Sequence, residues 1–443
     1  MLEHLGLTLA EGKRILQAVQ QRMVAAQVKR HGVVYRRCGH CQRKLSTKGY
    51  QRRWFRSAFG KVPIRVRRLT TCRCQGEPRR TFSSLQLSGP HGLIAPEWLY
   101  LQAKWASLIP FARVAKLLAD VLPSNDGLNA ETVRTRVGRV GRQLEDEKVH
   151  EWFGHARPPD PKVLFQYPYY RRRHLDTTVG LDCGYVRNRH PRPEHHFEVV
   201  AGRARAPDGT SRCFAFVRTR AFLCSHYVQE AVAGVGGDLH HVTVLTDGDI
   251  GLRELQREAA PHGDHVLDWF HVAMRFQVLT QTAKGIGAEQ ANMRAWMIET
   301  LERAKWHLWH GHRWRTGELL EEVHGWTQAK RVDTPLAIRK LRRGLVDLHR
   351  HLHRNRYSLP SYAIRYRYGM PISTATTEAT VNQVISRRMV KQQQMRWSRD
   401  GAQHVLEVRT QVLNGSLDAT CRRWYPRFRP GAVSRSNHTP HDF

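Results

Sequence analysis

The chain has 443 residues and a strongly basic composition. Lys and Arg number 72 against 38 Asp and Glu, which gives a formal net charge of +34, and hydrophobic residues make up 41% of the sequence. This composition excludes an intrinsically disordered chain and is sufficient for about two to four folded domains. So large a cationic excess favours a polyanionic partner, of which nucleic acid is the first candidate.

A membrane surface is the competing partner. The sequence has no apolar run near the roughly 20 residues that a transmembrane helix needs. Its N-terminus also has no apolar segment typical of a secretion signal. We therefore expect a soluble, cytoplasmic protein with no membrane partner.

Residues 1–88 are predicted to form an N-terminal helix and a zinc-binding module. Thr8 and Glu11 have the spacing of a capping box, and apolar residues then recur at helical spacing to about Arg30. These apolar residues are Ile15, Leu16, Val19 and Met23. They predict an amphipathic helix.

Two cysteine pairs follow this helix, and they are Cys38, Cys41, Cys72 and Cys74. Between the pairs lies a basic, strand-like stretch with a turn near Gly60. Four thiolates in two close pairs can close a tetrahedral Zn²⁺ site with a hairpin held between them. Two alternatives stay open: His40 or another residue replaces one ligand, or the cysteines are unmetallated core residues.

Residues 89–153 are predicted to form a helical DNA-binding domain. Helices are expected near 96–108, 111–122 and 130–148. This is the outline of a helix-turn-helix module, although any three-helix bundle has the same outline. DNA contacts are expected from arginines of the hairpin and of the last helix, although a solvated basic face would have the same composition. These residues are Arg52, Arg53, Arg134, Arg136 and Arg139.

After a proline-containing linker, residues 163–271 have the element order of an α/β domain. Strands are predicted at 177–186, 196–204, 213–218, 241–246 and from 265, with helices at 225–235 and 251–260. Three successive antiparallel strands followed by parallel ones predict a mixed sheet with helices packed on it.

The remaining sequence is predicted to be helical. Residues 272–372 have no strand alternation and are expected to form a helical domain inserted into the α/β domain. Residues 373–415 are assigned to the C-terminal helices of that α/β domain. Residues 416–443 are assigned to a basic tail, expected to be poorly ordered from Arg422 onward.

Asp182 is the first candidate for a catalytic acid. In the strand TTVGLDCGYV, Val179, Leu181 and Cys183 share one face, and Asp182 shares the other with two glycines. The glycines are expected to leave space above the carboxylate for a metal ion or a phosphate. Taken alone, a solvated aspartate is the more ordinary interpretation.

Three further residues extend this candidate site. Asp247 and Asp268 each end a predicted parallel strand, at the sheet edge where α/β sites gather. Glu378 lies three residues before Val381 and seven before Ile385, so it continues an apolar helical stripe. The alternative for Glu378 is an acid favoured by the dipole at a helix N-terminus.

Several carboxylates in a protein of charge +34 indicate two-metal phosphoryl transfer. Mg²⁺ prefers oxygen ligands, which carboxylates and DNA phosphates supply. The sequence contains neither a P-loop nor a Gly-x-Ser-x-Gly motif. Neither ATP hydrolysis nor serine esterase chemistry is therefore favoured.

Four segments resemble the DDE transposases of bacterial insertion sequences, closest to the ISKra type and more distantly to Mutator-like enzymes. The segments are VGLDCGYVR, VTVLTDGDIGLR, HVLDWFHVAMR and TEATVNQVISRRMVKQQQMRWSRDGAQHVLEVR. The resemblance implies a ribonuclease H-like catalytic domain with a helical insertion. It implies Asp182, Asp247 and Glu378 as ligands of Mg²⁺ or Mn²⁺. Asp268 and His271 match an Asp-x-x-His motif with a secondary role.

The activity implied by this resemblance is DNA transposition. The protein would bind the terminal inverted repeats of its element, cleave the ends and join the 3′-hydroxyls to target DNA. It would act as a dimer or larger assembly, near the nucleoid of a bacterial cell. Two alternatives stay open: a ribonuclease H-like nuclease or resolvase without strand transfer, and a catalytically inactive, transposase-derived DNA-binding regulator.

Overall fold

The computed structural model describes residues 6–34, 37–74, 76, 78–83, 92–123, 127–155, 176–190, 194–219, 224–287, 290–328, 335–373, 379–390 and 395–429. By its internal contacts the chain divides into two units. The N-terminal unit comprises residues 1–151 and 400–443, and the central unit comprises residues 152–399. No helix among the described residues is long and apolar enough to cross a membrane.

The first part of the chain combines a hairpin with four helices. Its elements are α1 (Leu9–Val34), β1 (Thr47–Ser57), β2 (Gly60–Thr70), β3 (Thr81–Ser83), α2 (Pro96–Leu108), α3 (Phe111–Val121) and α4 (Ala130–His155). The predicted hairpin is confirmed, because β1 and β2 pair antiparallel around a turn that closes at Ser57 and Gly60.

The second part alternates strands and helices before becoming helical. The alternating elements are β4 (Thr177–Arg187), β5 (His196–Arg205), β6 (Ser211–Val217), α5 (Cys224–Ala233), β7 (Val242–Thr246), α6 (Ile250–Ala259) and β8 (Asp264–Leu267). The helices that follow are α7 (Trp269–Lys284), α8 (Ala291–Trp309), α9 (Arg313–Gln328), α10 (Leu336–Arg354), α11 (Tyr362–Arg367), α12 (Asn382–Val390, wound as a π-helix), α13 (Arg399–Leu413) and α14 (Leu417–Trp424). A 3₁₀ turn, Arg356–Ser358, separates α10 from α11.

Helix α1 packs on the hairpin through a different face from the one that the sequence suggested. Val24 is buried against Val62, Ile64 and Val66 of β2. The four residues of the predicted stripe are 45–52% exposed: Ile15, Leu16, Val19 and Met23. The α1 sequence carries apolar residues on more than one side, so periodicity alone did not identify the side that meets the hairpin.

Helix α13 belongs to the N-terminal unit from Asp400 onward, although the sequence grouped it with the α/β domain. Glu407 is 1% exposed and forms an ion pair with Lys148 of α4 at 3.0 Å. A Cβ at Gly141 of α4 would lie 2.1 Å from the carbonyl oxygen of His404, so a glycine is required at this close approach. Two helices that approach through a glycine and a buried ion pair are packed partners.

The predicted tail begins with structure. Helix α14 spans Leu417–Trp424, and Cys421 and Phe428 are buried. The Phe428 ring packs edge-to-face on Tyr100 of α2, with ring centroids 5.3 Å apart. The expectation of poor order from Arg422 onward is therefore wrong up to residue 429, because aromatic burial stabilises this segment. Residues 430–443 lie outside the described part.

The central unit contains a five-stranded sheet in the order β6-β5-β4-β7-β8. Strands β4, β5 and β6 pair antiparallel, and β7 and β8 join as parallel strands on the other side of β4. The predicted mixed sheet is confirmed. Val179 and Leu181 are buried under α5 and α6, which confirms the face assigned to them.

Helices α7 to α11 form a second core beside the sheet. Residues of β7 and β8, such as Leu245 and Leu267, are buried in the same cluster as Phe276 of α7 and Leu345 of α10. The predicted helical segment at 272–372 is confirmed for its described residues, with its first helix starting at Trp269. This shared core holds the helices against the carboxyl ends of the parallel strands.

His265 joins the sheet to the helical layer, which consists of α7 to α11 and the 3₁₀ turn Arg356–Ser358. Its ring lies between two hydroxyls, with Nε2 2.9 Å from Oγ1 of Thr246 and Nδ1 2.6 Å from Oγ of Ser358. Burial, helped by the cationic Arg253 and Arg257, lowers the pKa of His265 to about 4. The folded protein therefore holds this imidazole neutral, whereas the unfolded chain protonates it at an ordinary pKa near 6.5.

This difference predicts an acid-sensitive contribution to stability. Between about pH 6.5 and about pH 4 the unfolded chain binds the additional proton, so stability falls as the pH falls, by at most about 1.4 kcal/mol per pH unit. We expect His265→Asn to be less stable near pH 7 but to lose less on acidification. Urea unfolding at about pH 7 and about pH 5 measures both effects. The exposed His196→Asn is the control, and equal acid losses for His265→Asn and the wild type would contradict the assignment.

Candidate functional site

The central sheet brings three aspartates to one level. Gly180 of β4 pairs with Leu245 of β7, so Asp182 and Asp247 each lie two residues beyond a paired position. Thr246 pairs with Leu267 of β8, so Asp247 and Asp268 each follow a paired position by one residue. Neighbouring strands lie about 4.8 Å apart. Three adjacent parallel strands therefore present these aspartates side by side.

The three carboxylates differ in burial and influence one another. Asp268 is completely buried, whereas Asp182 and Asp247 are half-buried. Burial raises the pKa of Asp182, and the negative charges of Asp247 and Asp268 raise it further, while His271 has the opposite effect. The acids thus lie within electrostatic range of one another, an arrangement that a bound cation would stabilise.

Backbone N–H groups orient each carboxylate. Oδ1 of Asp182 accepts from the N–H of Cys183 at 2.7 Å, and Oδ1 of Asp247 accepts from that of Asp249 at 2.9 Å. Oδ1 of Asp268 accepts from the N–H of Phe270 at 2.8 Å, which caps helix α7. The side chains are therefore held by local backbone geometry at the strand ends.

His271 lies in the first turn of α7, beside the buried aspartate. Its Nε2 is 3.7 Å from Oδ2 of Asp268, and this buried nitrogen has no hydrogen-bond partner among the described residues. The two residues of the Asp-x-x-His motif are thus neighbours on one helical turn. The nitrogen remains able to interact with a ligand at the edge of the sheet.

Glu378 lies outside the described residues, but the chain that follows it packs over β4. A Cβ at Gly184 would lie 3.0 Å from Cδ1 of Ile385. The space expected above Gly184 is therefore filled by α12 side chains and is not open to a ligand. Arg203 of β5 donates through Nε to Oγ1 of Thr380 at 2.8 Å, which holds the start of this helical segment against the sheet.

A cavity of about 320 Å³, lined by three arginines and three aspartates, adjoins the end of β7 and includes Asp247 in its wall. Its cationic lining consists of Arg275 of α7 and two arginines of α10, Arg350 and Arg354. Of the α10 pair, Arg350 is held by Asp347 at 3.0 Å. The sequence carries no local signal for this cavity, because about 100 residues separate the α10 arginines from Asp247.

His351 reaches the same cavity at a tight contact with the loop after β7. Gly248 has φ +86°, and a Cβ there would lie 2.9 Å from Cε1 of His351 and 2.6 Å from Nδ2 of Asn355. Burial lowers the pKa of His351 to about 4, so the ring is neutral at physiological pH. Its Nε2 is buried without a hydrogen-bond partner in the described part of the chain.

The four N-terminal cysteines converge as the sequence predicted. Cys38 and Cys74 sulfurs are 3.6 Å apart, those of Cys41 and Cys72 are 3.4 Å apart, and all four lie within 4.8 Å of one another. A tetrahedral zinc ion with Zn–S bonds of about 2.3 Å needs sulfurs about 3.8 Å apart, so the group could bind a metal such as zinc.

Backbone geometry favours a thiolate in this group. The N–H groups of Cys41 and His40 donate to the Cys38 sulfur and lower the pKa of that thiol to about 6. Within the described ranges, this is the only group of three or more potential metal ligands whose donor atoms all lie so close together. His40 is not a member, and the acids of the central sheet do not form a second such group.

The hairpin separates the two arginines that the sequence placed together. Arg52 pairs with Arg65 on the outer face of the hairpin, whereas Arg53 pairs with the buried Ile64 on the face toward α1. The outer face also carries exposed aromatic rings. Tyr50 lies under Arg65, with 5.1 Å to the ring centroid, and Trp54 lies 4.3 Å from Lys61. Exposed aromatic and cationic side chains on one face are typical of a nucleic-acid surface.

The three arginines predicted on α4 have different surroundings. Arg134 is exposed and paired with Glu131 at 2.7 Å, and Arg139 is exposed. Arg136 is only 8% exposed and donates to Oε1 of Gln102 at 2.9 Å. Arg136 therefore does not lie on the outer surface of α4, where a groove-reading side chain is required.

Comparison with protein-family models and with curated protein sequences finds no match for this chain. Function is therefore inferred from two arrangements of side chains. One is the row of aspartates beside an arginine-containing cavity in the central unit. The other is the cysteine-anchored basic hairpin of the N-terminal unit.

The cysteine group predicts one zinc ion per chain. Because metal binding to such a group is coupled to folding, removal of a ligand should unfold the hairpin. We expect Cys41→Ser to lose the zinc that metal analysis finds in the wild type, and to lose amide protection in β1 and β2 by hydrogen exchange. Cys213→Ala, which changes a cysteine of β6, should retain the metal. A zinc-free wild type with a protected hairpin would contradict the assignment.

Proposed function

We propose that this chain is a metal-dependent DNA transposase with a ribonuclease H-like catalytic unit. The observation that carries the proposal is the common level of Asp182, Asp247 and Asp268 on three adjacent parallel strands. A structural role for acids does not require three carboxylates to gather where they repel one another. Binding of cations and a phosphodiester gives a reason for such a gathering.

The topology of the central sheet supports the fold part of the proposal. Three antiparallel strands are followed by two parallel strands on the opposite side of β4, with helices α5 and α6 on one face and α12 on the other. This is the arrangement expected of a ribonuclease H-like domain. The helices α7 to α11, which lie in the chain between Asp268 and Glu378, correspond to the proposed insertion.

Asp182 and Asp247 would hold Mg²⁺ or Mn²⁺, with Glu378 as the further ligand implied by the resemblance. The half-buried Asp182, destabilised as an anion by burial and further by two neighbouring carboxylates, fits the role of a cation ligand. Mg²⁺ keeps several waters and takes few protein ligands, so a compact cage of donor atoms is not required. Such ions activate the attacking oxygen and stabilise the leaving oxygen of a phosphodiester.

The chain's own cations would position the DNA. Arg275, Arg350 and Arg354 line the cavity beside Asp247, where they can bind phosphate oxygens that the carboxylates would otherwise repel. His351 lines this cavity and His271 lies within electrostatic range of it, and the buried Nε2 atoms of both rings could hydrogen-bond a phosphate or a water. Asp268 orients His271, so this pair acts as a positioning element.

Recognition of the element's ends is proposed for the N-terminal unit. The outer hairpin face combines Tyr50 and Trp54 with several cations and is anchored by the cysteine group at its open end. Phosphate contacts from such a face supply affinity and register on DNA. Because two ends are processed together in transposition, the proposed active form is a dimer or larger assembly bound to terminal inverted repeats and target DNA.

Substitution of the acids tests the catalytic assignment. We expect Asp182→Asn, Asp247→Asn and Glu378→Gln each to lower Mg²⁺-dependent cleavage of terminal-repeat duplexes at least about a thousandfold, since lost metal coordination removes several kcal/mol of transition-state stabilisation. Asp208→Asn, in the exposed β5–β6 turn, should cleave like the wild type. DNA binding by gel shift should be retained by every variant.

The same assay separates transposition from its alternatives. Incubation of pre-cleaved ends with plasmid should give joined product with the wild type. Cleavage without joining would identify a nuclease or resolvase, and binding without cleavage would identify an inactive regulator. Full cleavage by Asp182→Asn would overturn the site itself.

A further inference from the structure

A basic cleft lies in the N-terminal unit, between the hairpin turn and the start of α4. Its volume is about 480 Å³. Four cationic side chains line it, and they are Arg56, Lys61, Arg136 and Arg139. Thr132, Thr135 and Trp98 are among the other residues that line it. The volume lies in the range of about 300–1,000 Å³ that small-molecule sites occupy.

Among the described residues that line this cleft, cationic side chains outnumber acidic ones by four to one. Among the lining residues that the structure describes, Glu131 is the one carboxylate, and it already pairs with Arg134 at 2.7 Å. The nearly buried Arg136 donates to a neutral amide oxygen of Gln102. Burial, together with the charges of Arg56 and Arg139, lowers the pKa of Arg136 to about 10, so it is still cationic at neutral pH.

The mutual repulsion of Arg56, Arg136 and Arg139, which line one cleft, costs free energy. A bound anion removes that cost. Phosphate is the anion that best suits several guanidinium groups, because each can donate two parallel hydrogen bonds to its oxygens. The N-terminus of the 26-residue α4, capped by Oδ1 of Asn129, adds a favourable dipole for negative charge.

We propose that this cleft binds a phosphate group with its attached nucleotide, and that the DNA backbone supplies it. The source follows from continuity with the hairpin. Arg56 and Lys61 pair directly across the two strands, on the same outer face as the Trp54–Pro63 and Arg52–Arg65 pairs. A DNA strand that follows this face would meet the cleft at the hairpin turn.

The cleft anchors the DNA that the N-terminal unit is proposed to bind, so it rests on that part of the proposed function and not on catalysis. The Arg56 backbone is fixed, since its N–H donates to the Leu93 carbonyl at 2.9 Å and its carbonyl accepts from Ala95 at 2.8 Å. A cation on a fixed backbone position beside the cleft would give one backbone phosphate a defined position. This contact would set the register of the duplex on the hairpin.

Salt-dependent DNA binding tests the proposal. For a duplex of about 30 base pairs, we expect Arg56→Gln and Arg139→Gln each to weaken binding and to reduce the slope of log K against log[salt] by about 1, the value for one lost phosphate contact. Arg142→Gln is the matched control, because Arg142 is exposed on the same helix but does not line the cleft. Effects no larger than that of Arg142→Gln would overturn the proposal.

A second measurement identifies the source of the phosphate. Binding of thymidine 5′-monophosphate and of inorganic phosphate is followed through Trp98 fluorescence, and DNA should compete with both. If the small phosphates bind the wild type but not Arg139→Gln, while DNA affinity matches that of Arg142→Gln, the DNA source is wrong and a free nucleotide is the ligand. If neither thymidine 5′-monophosphate nor inorganic phosphate binds the wild type, the proposal that the cleft binds phosphate is overturned.

Two controls keep these outcomes separate from folding and from catalysis. Arg56 and Arg139 are exposed, so their variants should keep the wild-type unfolding temperature, whereas Arg136→Gln removes a buried side chain and is not used. Asp182→Asn should retain the wild-type slope of log K against log[salt] for DNA binding. A wild-type protein that shows the cleft's salt dependence but no cleavage therefore contradicts only the catalytic proposal. A protein that cleaves DNA but shows no effect of Arg56→Gln or Arg139→Gln contradicts only the cleft proposal.

Discussion

The structure depends on the parallel register of β4, β7 and β8. This register brings Asp182, Asp247 and Asp268 to one level, with Asp247 about one strand spacing from each of the other two. Burial is the main cause of the raised pKa of Asp182, and the neighbouring carboxylates Asp247 and Asp268 raise this pKa further. The surrounding elements offset the repulsion: backbone N–H groups orient each carboxylate, and the helical layer presents cations beside Asp247.

The helical layer is therefore more than a covering for the sheet. Leu245 and Leu267 of the parallel strands are buried in its core, and His265 bridges to the turn before α11. These contacts bring α10 to the strand ends, where Gly248 permits the close approach of His351 and Asn355. Packing of apolar residues thus determines which cations lie next to the acids.

Much of the fold was predictable because its signals are local. The alternation in β4 identified the face that α5 and α6 bury, and the order of strands and helices predicted the mixed sheet. The cysteine spacing predicted a metal-binding group, and in the structure the four sulfur atoms converge as such a group requires. Three features were not predictable: the packed face of α1, the filling of the Gly184 space by Ile385, and the burial of Arg136. Each depends on a partner that is distant in the sequence.

By itself, the sequence determined the chemistry that is available: the acids at strand ends, the four thiols and the cationic excess. It also determined the strands and helices, since periodicity and turn residues act over short distances. Only the tertiary structure decided which cations meet which carboxylates, and which arginines face solvent or a cleft. The reason is physical, because burial and electrostatic interaction depend on distance in space, and residues about 100 positions apart carry no local record of their contact.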